Sequence, residues 1–187
     1  MCASAALSWS ITAEPAGSAV ARGLLREYYT DVADRYYALH EGRRSTPQEI
    51  DEGVAEYPLD ALAPPHGVLL VARRDGEPAG CAGTRLMDTR TAELKQVFVR
   101  PDSRGLGAAG ALLRAAHAAA ARLGAERIRL DTRRDLTEAI ALYRRHGYRE
   151  IAPYHHDDPY AEIFFEKQLE PAASGTGPNG SVRPATW

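Results

Sequence analysis

The sequence predicts an α/β fold of the mixed α+β kind, with a central mixed β-sheet of about six to seven strands flanked by about four helices. Three observations support this prediction. The N-terminal third has helical periodicity, the middle of the chain contains a β-hairpin signal, and the remainder alternates strand with helix. Antiparallel hairpins followed by such alternation are typical of a sheet with both parallel and antiparallel neighbours.

The N-terminal third carries one strand and two helices. We expect a short strand at residues 7–12 and a long helix over about residues 16–40. A second helix is predicted after Thr46, with Pro47 in its first turn, where the missing N–H group is not needed.

The middle of the chain predicts three strands. Residues 67–74 (GVLLVARR) and 78–87 (PAGCAGTRLM) form a hairpin pattern, because the Asp75-Gly76 pair between them is typical of a two-residue turn. A third strand over residues 91–100 ends at Pro101.

Strand and helix then alternate. A helix rich in Ala and Leu is expected over residues 105–123, and a strand over residues 126–131. Asp135 is the expected N-cap of the next helix, with Glu138 three residues on, and Gly147 ends that helix.

Two further strands, at residues 148–153 and 161–169, complete the pattern. Beyond them the composition changes to Pro, Gly, Ser, Ala and Thr. We therefore expect a single domain over residues 1–169, with its core at 67–169, and a disordered tail at 170–187.

The composition disfavours several classes of function. The 187 residues include 25 acidic and 23 basic side chains without a long block of either sign, so neither a nucleic acid nor a membrane surface is an expected partner. No stretch approaches the roughly 18 apolar residues of a membrane span, and we expect a soluble, cytoplasmic protein. Cys2 and Cys81 are too few for a disulfide framework or a zinc site, and a reduced Cys81 is expected in the core.

The most informative segment follows the third predicted strand, where a short turn leads into glycines that open a helix. Amides at a helix N-terminus lack intrahelical partners, so this arrangement predicts an anion site. Gly105, Gly107 and Gly110 also spell the dinucleotide pattern GxGxxG, with Asp131 after the next strand. That alternative is disfavoured because residues 100–104 separate the strand from the glycines. A glycine-rich helix start without a ligand is the other open interpretation.

Arg104, Gly107 and Ala109 match, in order and spacing, the pyrophosphate signature of the GNAT acetyltransferases, which the chain resembles over residues 67–169. The resemblance includes a second pattern, AxxxYxxxGY, at Ala139, Tyr143, Gly147 and Tyr148. One departure is visible, since Leu136 stands where many members carry an asparagine that contacts the cofactor.

The resemblance implies acetyl-CoA as cosubstrate and indicates where it would bind. Its pyrophosphate would lie at the backbone amides of Arg104, Gly105, Leu106, Gly107, Ala108 and Ala109. Its pantetheine arm would pair with the backbone of Val97, Phe98 and Val99, on a strand that splays from the strand at residues 127–130.

The resemblance also implies two catalytic side chains. Tyr143 would protonate the departing CoA thiolate, although its place on the apolar face of its helix also suits a core tyrosine. Glu93 stands where some members carry a general-base glutamate, and the alternatives are an ion-paired strand carboxylate and a water relay as the base. On simple alternation, the face of the strand that carries Glu93 also carries Lys95, Val97 and Val99.

The reaction that the resemblance implies is transfer of an acetyl group to a primary amine of a small molecule or peptide by direct attack. A non-catalytic acyl-CoA-binding sensor and an NAD-binding oxidoreductase are the alternatives. No metal site is expected, because the side chains of consecutive residues in an extended loop point apart. The residues of that loop, which would rim the acceptor pocket or lie in solvent, are His155, His156, Asp157 and Asp158.

The sequence does not name the acceptor amine or the oligomeric state. Four tyrosines recur at about helical intervals in the first helix, and of these Tyr36 and Tyr37 are the pair we expect nearest the acceptor; the other two are Tyr28 and Tyr29. The last strand, residues 161–169, could pair across subunits as an edge strand, which favours a homodimer.

Overall fold

The computed structural model describes residues 9–57 and 59–170. In chain order the elements are β1 (Ser10–Glu14), α1 (Ala19–Glu41), α2 (Pro47–Ala55), β2 (Gly67–Arg74), β3 (Glu77–Leu86), β4 (Thr91–Val99), α3 (Ala108–Arg122), β5 (Arg127–Thr132), α4 (Thr137–Arg145), β6 (Arg149–Ile151) and β7 (Ile163–Gln168). The predicted mixed fold is confirmed. The predictions for Cys2, for residues 7 and 8 and for the tail from residue 171 onward lie outside the described residues.

The seven strands form one sheet in the order β1-β2-β3-β4-β5-β7-β6. Only β4 and β5 are parallel within the described part of the chain; the other neighbours are antiparallel. The expectation that the last strand lies at an edge is wrong, because β7 pairs with β5 on one side and with β6 on the other. The middle of β7, at Phe164 to Glu166, is therefore paired on both sides inside the sheet.

Helices cover both faces of the sheet. On one face α3 packs through Leu112 and Leu113, and on the other α1 packs through Leu24 and Leu25. Cys81 is fully buried beside α1, as expected for a core thiol, and its burial raises the pKa of the thiol to about 12. Within the described residues, none of the helices combines the length and the apolar character that crossing a bilayer requires.

The predicted N-cap is correct for α2 and wrong for α4. The predicted start of α2 is confirmed, because Thr46 and Glu49 form a reciprocal capping box. The prediction that Asp135 caps α4 is wrong: the helix begins at Thr137, with Leu136 at the N-cap. The Asp135 carboxylate instead accepts hydrogen bonds from Arg133, which lower its pKa. A local pattern could not reveal this competing partner.

A β-bulge in β4 alters the expected alternation of side chains. Gln96 has a positive φ of 54°, and the register with β3 shifts between Cys81 and Gly83. As a result Phe98 packs against the α1 face, whereas Val99 joins Leu94 on the α3 face. The prediction that Glu93, Lys95, Val97 and Val99 share one face is therefore wrong beyond the bulge.

Candidate active site

The strands β4 and β5 separate after a short pairing. Thr91 to Glu93 pair with Arg127 to Arg129, and no pairing between the two strands follows, although β4 continues to Val99. A cavity of about 630 Å³ opens at this divergence and extends to the start of α3. The splay that the resemblance implied is thus present, and it leaves backbone groups of β4 facing an open space.

The start of α3 presents unpartnered amides to this cavity. Gly107 is the N-cap, and the first hydrogen bond of the helix runs from the N–H of Ala111 to the carbonyl of Gly107. The preceding N–H groups, those of Ala108, Ala109 and Gly110, have no intrahelical acceptor. The left-handed conformation of Gly105 and Gly107, with φ of 76° and 88°, turns the chain into the helix. This geometry suits an anion.

Side chains fix the loop in place. Arg104 donates from Nε to the carbonyl of Val99 at 2.9 Å, and its Nη2 lies 3.1 Å from Oδ2 of Asp31 on α1. The backbone N–H of Arg104 donates to the carbonyl of Pro101, so the run of available amides begins after Arg104. Trp9 donates from Nε1 to the carbonyl of Leu106 at 2.8 Å. The loop is therefore held by contacts with β4, with α1 and with Trp9.

The structure brings nearly all of the predicted cofactor residues together. Those that line the cavity are Val97, Phe98, Val99, Arg104, Gly105, Gly107, Ala108 and Ala109. Leu106 does not line it, and its carbonyl is the group that anchors the loop to Trp9. The contact of each residue with a cofactor stays a prediction.

Tyr143 lies on α4 and is only 7% exposed, yet it lines the cavity. Its ring packs edge-on against Tyr148, with centroids 5.7 Å apart, and against Phe165. Burial raises the pKa of Tyr143, and the charge of Asp131 adds to the shift. The phenol is therefore neutral and keeps its proton at ordinary pH.

Glu93 is buried, with 2% exposure, and does not line the cavity. Its carboxylate binds Arg85 at 2.7 Å and Lys95 at 3.2 Å, and Tyr154 donates to it at 3.1 Å. These donors occupy the oxygens that a base would need. Its role as general base stays a prediction, and the contacts of the carboxylate are those of the ion-paired alternative.

Asp131, unlike Glu93, lines the cavity, as do the carboxylates of Asp31 and Glu138. Asp131 stands at the end of β5, and its Oδ1 lies 2.9 Å from Nζ of Lys95. Burial opposes the charge on Lys95, but the carboxylates of Asp131 and Glu93 outweigh it and raise the lysine pKa. In the sequence Asp131 stands out only as part of the dinucleotide pattern, because nothing local indicates that β5 brings it beside Lys95.

The same cluster meets the spacing of a cation site. Ligand atoms of Glu93, Asp131 and His155 lie within 4.8 Å of one another. The Lys95 ammonium, however, already lies between the two carboxylates and supplies the positive charge there. A divalent cation in this place would be strongly repelled by that ammonium.

Tyrosines form much of the remaining wall of the cavity. All four tyrosines predicted on the first helix line it, not only Tyr36 and Tyr37. Tyr57, after α2, and Tyr160, in the β6–β7 loop, complete the wall. Tyr160 packs edge-on against Tyr36, with centroids 5.1 Å apart. Neither was singled out from the sequence, because each lies in an irregular segment.

The dinucleotide alternative does not fit this architecture. A doubly wound nucleotide fold needs several parallel strands around its glycine loop, whereas β4 and β5 are the single parallel pair among the described strands. The cavity instead lies in a splay between those two strands.

Comparison with known proteins gives a consistent result. The model of the acetyltransferase (GNAT) family matches residues 23–148. An uncharacterised N-acetyltransferase of Schizosaccharomyces pombe is 33% identical over 123 residues, which cover 65% of this chain and 75% of that protein. An IAA acetyltransferase of Azospirillum brasilense is 36% identical over 115 residues, which cover 59% of this chain and 74% of the relative.

A solved structure shares the fold. It is a GNAT family acetyltransferase from Elizabethkingia anophelis with acetyl-CoA bound, and it superposes with a TM-score of 0.56 at 19% identity. The superposition covers 86% of this chain and 98% of the other.

Proposed function

Because the chain belongs to the acetyltransferase (GNAT) family, whose members use acyl-CoA donors, we propose that it transfers the acetyl group of acetyl-CoA to a primary amine of a small molecule or peptide. One observation carries the proposal: the unpartnered amides before and within the first turn of α3 open into the same cavity as the splayed strand β4 and the phenol of Tyr143. The names of two similar proteins, which specify acetyl transfer and bound acetyl-CoA, support the choice of donor.

The residues present fit a CoA pyrophosphate. Two glycines with positive φ leave the loop backbone without side chains on the cavity side, and the amides from Gly105 to Gly110 are oriented by the helix start. Acetyl-CoA supplies the activated acyl group. The chain's own residues bind its phosphates, hold the acceptor, remove a proton from the amine and return one to the leaving sulfur.

The reaction needs two proton transfers, and a different side chain at the cavity serves each of them. Tyr143 is neutral and buried, so it can donate its proton to a thiolate. We assign the acceptance of the amine proton to Asp131, because this carboxylate faces the cavity whereas Glu93 is enclosed by donors. Glu93 then holds Lys95 and Arg85 in position.

The Asp131→Asn substitution should lower kcat/KM by about a hundredfold at a pH below the pKa of the amine. The loss should shrink as the pH rises, because more of the amine is then neutral without help. The Glu93→Gln variant should show a smaller loss that is the same at each pH, since it disturbs the placement of Lys95, Arg85 and Tyr154 but removes no group that accepts the amine proton. Both are measured as pH profiles of kcat/KM.

The matched control is Glu166→Gln, which removes a carboxylate paired with Arg129 at 2.8 Å outside the cavity. Its profile should equal that of the wild type. If Glu93→Gln instead showed a loss of kcat/KM that depends on pH, and Asp131→Asn a wild-type profile, the general base would be Glu93.

Ligand titration tests the function as a whole. Acetyl-CoA and CoA should raise the Tm of the chain and NADH should not, because a ligand stabilises only a protein that binds it. Thiol release from acetyl-CoA in the presence of a panel of amines then measures turnover. Acetyl-CoA binding without turnover on any amine would favour a non-catalytic acyl-CoA-binding sensor. A rise in Tm with NADH but not with acetyl-CoA or CoA would contradict the proposal that acetyl-CoA is the donor.

A further inference from the structure

A side chamber of about 420 Å³ adjoins the main cavity. Four residues line both spaces and form the threshold between them: Tyr28, Tyr29, Tyr57 and Gln96. The aliphatic side chains that line the chamber are Leu25, Val54, Ala55 and Leu59. A molecule that spans the threshold would place one end among these side chains and the other end beside β4.

Gln96 is the polar group at this threshold. It is 8% exposed, and its side-chain Oε1 has no hydrogen-bond partner among the described residues. Buried polar atoms are normally paired, because an unpaired one loses its hydration without compensation. The bulge that carries Gln96 is held in turn by Cys81, whose Sγ lies 3.5 Å from the Gln96 carbonyl oxygen. The side-chain oxygen is thus a buried acceptor without a partner at the threshold, and an N–H from a ligand would satisfy it.

The tyrosines of the threshold are fixed before any ligand arrives. Tyr28 packs edge-on against Phe98, with centroids 6.4 Å apart, and Tyr29 packs edge-on against Tyr57 at 5.8 Å. Tyr29 also fits against α2 only because residue 53 is glycine, since a Cβ there would lie 1.8 Å from the phenol ring. Aromatic edges and faces arranged in this way favour a planar aromatic ligand.

The charged residues at the chamber also favour a ligand with few positive charges. Its described lining contains no carboxylate, and its two ionic members are Arg22 and Arg26. Arg26 is paired with Asp51 at 2.5 Å, whereas Arg22 forms no ion pair within the described residues. A polyamine or aminoglycoside would bring several positive charges toward the Arg22 guanidinium, and the lining itself offers them no carboxylate. A monoamine with an uncharged ring avoids that repulsion.

We propose that the acceptor is an arylalkylamine, with its ring in the side chamber and an N–H of its amine accepted by Gln96. This inference rests on the proposed acetyltransferase function and specifies its substrate class. Gln96 immediately precedes Val97 on β4, and both residues line the main cavity together with Asp131, so an amine held by Gln96 shares that cavity with the proposed base. The amide oxygen is uncharged, and it therefore orients the amine without stabilising its protonated form as a carboxylate would.

The first test compares acceptors on the full chain. With acetyl-CoA saturating, kcat/KM should be higher for 2-phenylethylamine and tryptamine than for spermidine, kanamycin or an N-terminal alanyl peptide. Calorimetry on the CoA complex should also show binding of 2-phenylethylamine. Absent acetyl-CoA binding would contradict the acetyltransferase proposal itself. Normal acetyl-CoA binding with preference for spermidine, kanamycin or the peptide, or without 2-phenylethylamine binding, would overturn only the substrate assignment.

The second test removes the hydrogen bond while keeping the size of the side chain. Gln96→Met should raise KM for 2-phenylethylamine about three- to tenfold, the worth of one neutral hydrogen bond, and leave the Kd of acetyl-CoA unchanged. Gln168→Met, at an exposed site on β7, is the control and should match the wild type. An unchanged KM in the Gln96 variant would contradict the role of Gln96.

A pair of glycine variants tests the chamber without touching Gln96. Gly53→Ala displaces the Tyr29 ring and should raise KM for 2-phenylethylamine. Gly23→Ala places the same methyl group on α1 with nothing within 4 Å, so it should leave KM unchanged. Equal KM values for the two variants would overturn the assignment of the chamber to the ring.

Discussion

Replacing Gly107 with valine should abolish CoA binding and leave the sheet and helices folded. Gly107 has a φ of 88°, a conformation that a β-branched residue avoids at a cost of about 1–3 kcal/mol. A Cβ there would meet nothing within 4 Å, so the chain can relieve the strain by rotating the loop rather than by unfolding. That rotation redirects the N–H groups of Ala108 and Ala109, on which an anion at the start of α3 depends.

Calorimetric titration with CoA measures the effect, and circular dichroism checks that the fold is kept. Gly76→Val is the matched control, because Gly76 also has a φ of 88° and open space around its Cβ position, but lies in the β2–β3 turn away from the cavity. It should bind CoA with the wild-type Kd. Wild-type affinity in Gly107→Val would contradict the amide site.

The elements that local signals specify were predictable from the sequence. Asp75 and Gly76 both have positive φ, as their turn type requires, and the hairpin they close is present at the predicted place. Thr46 and Glu49 form their capping box within four residues. In each case the interaction that decides the structure lies within a few residues of the signal.

The predictions that were wrong depend on residues far apart in sequence. The bulge at Gln96 depends on the register with β3, including Cys81, fifteen residues away in sequence. The interior place of β7 depends on β5 and β6 pairing with its two sides. Periodicity within one segment contains no information on such neighbours.

The candidate site divides along the same line. The amide loop is continuous in sequence and could be located from its glycines, whereas the catalytic wall assembles side chains from separate elements. Asp131 and Lys95 meet because β4 and β5 are parallel neighbours, and Tyr57 and Tyr160 join the wall from irregular segments. Recognising Tyr143 needed the family pattern, because a buried tyrosine on an apolar helix face has the same local sequence as a core residue.

The Tyr143→Phe substitution should lower kcat by about tenfold to a thousandfold, with little change in the affinity for acetyl-CoA. The substitution keeps the ring and its packing against Tyr148 and Phe165, so it isolates the hydroxyl. Because burial keeps the phenol protonated, its loss removes a donor for the leaving thiolate across the working pH range. Single-turnover kinetics measure the chemical step directly, which avoids a limit set by product release.

The control for this variant is Tyr148→Phe. Tyr148 is also buried, but its hydroxyl pairs with Nε2 of His117 at 2.9 Å and does not line the cavity. Its removal should cost about 1 kcal/mol of stability through the lost hydrogen bond, with the single-turnover rate unchanged. If Tyr143→Phe kept the wild-type rate while remaining folded, solvent would be the donor to sulfur and Tyr143 would serve only in packing. A loss of rate in Tyr143→Phe, with a normal rate in Tyr148→Phe, would assign the proton transfer to the Tyr143 hydroxyl. Of these two buried tyrosines, only Tyr143 lines the cavity at the splay between β4 and β5.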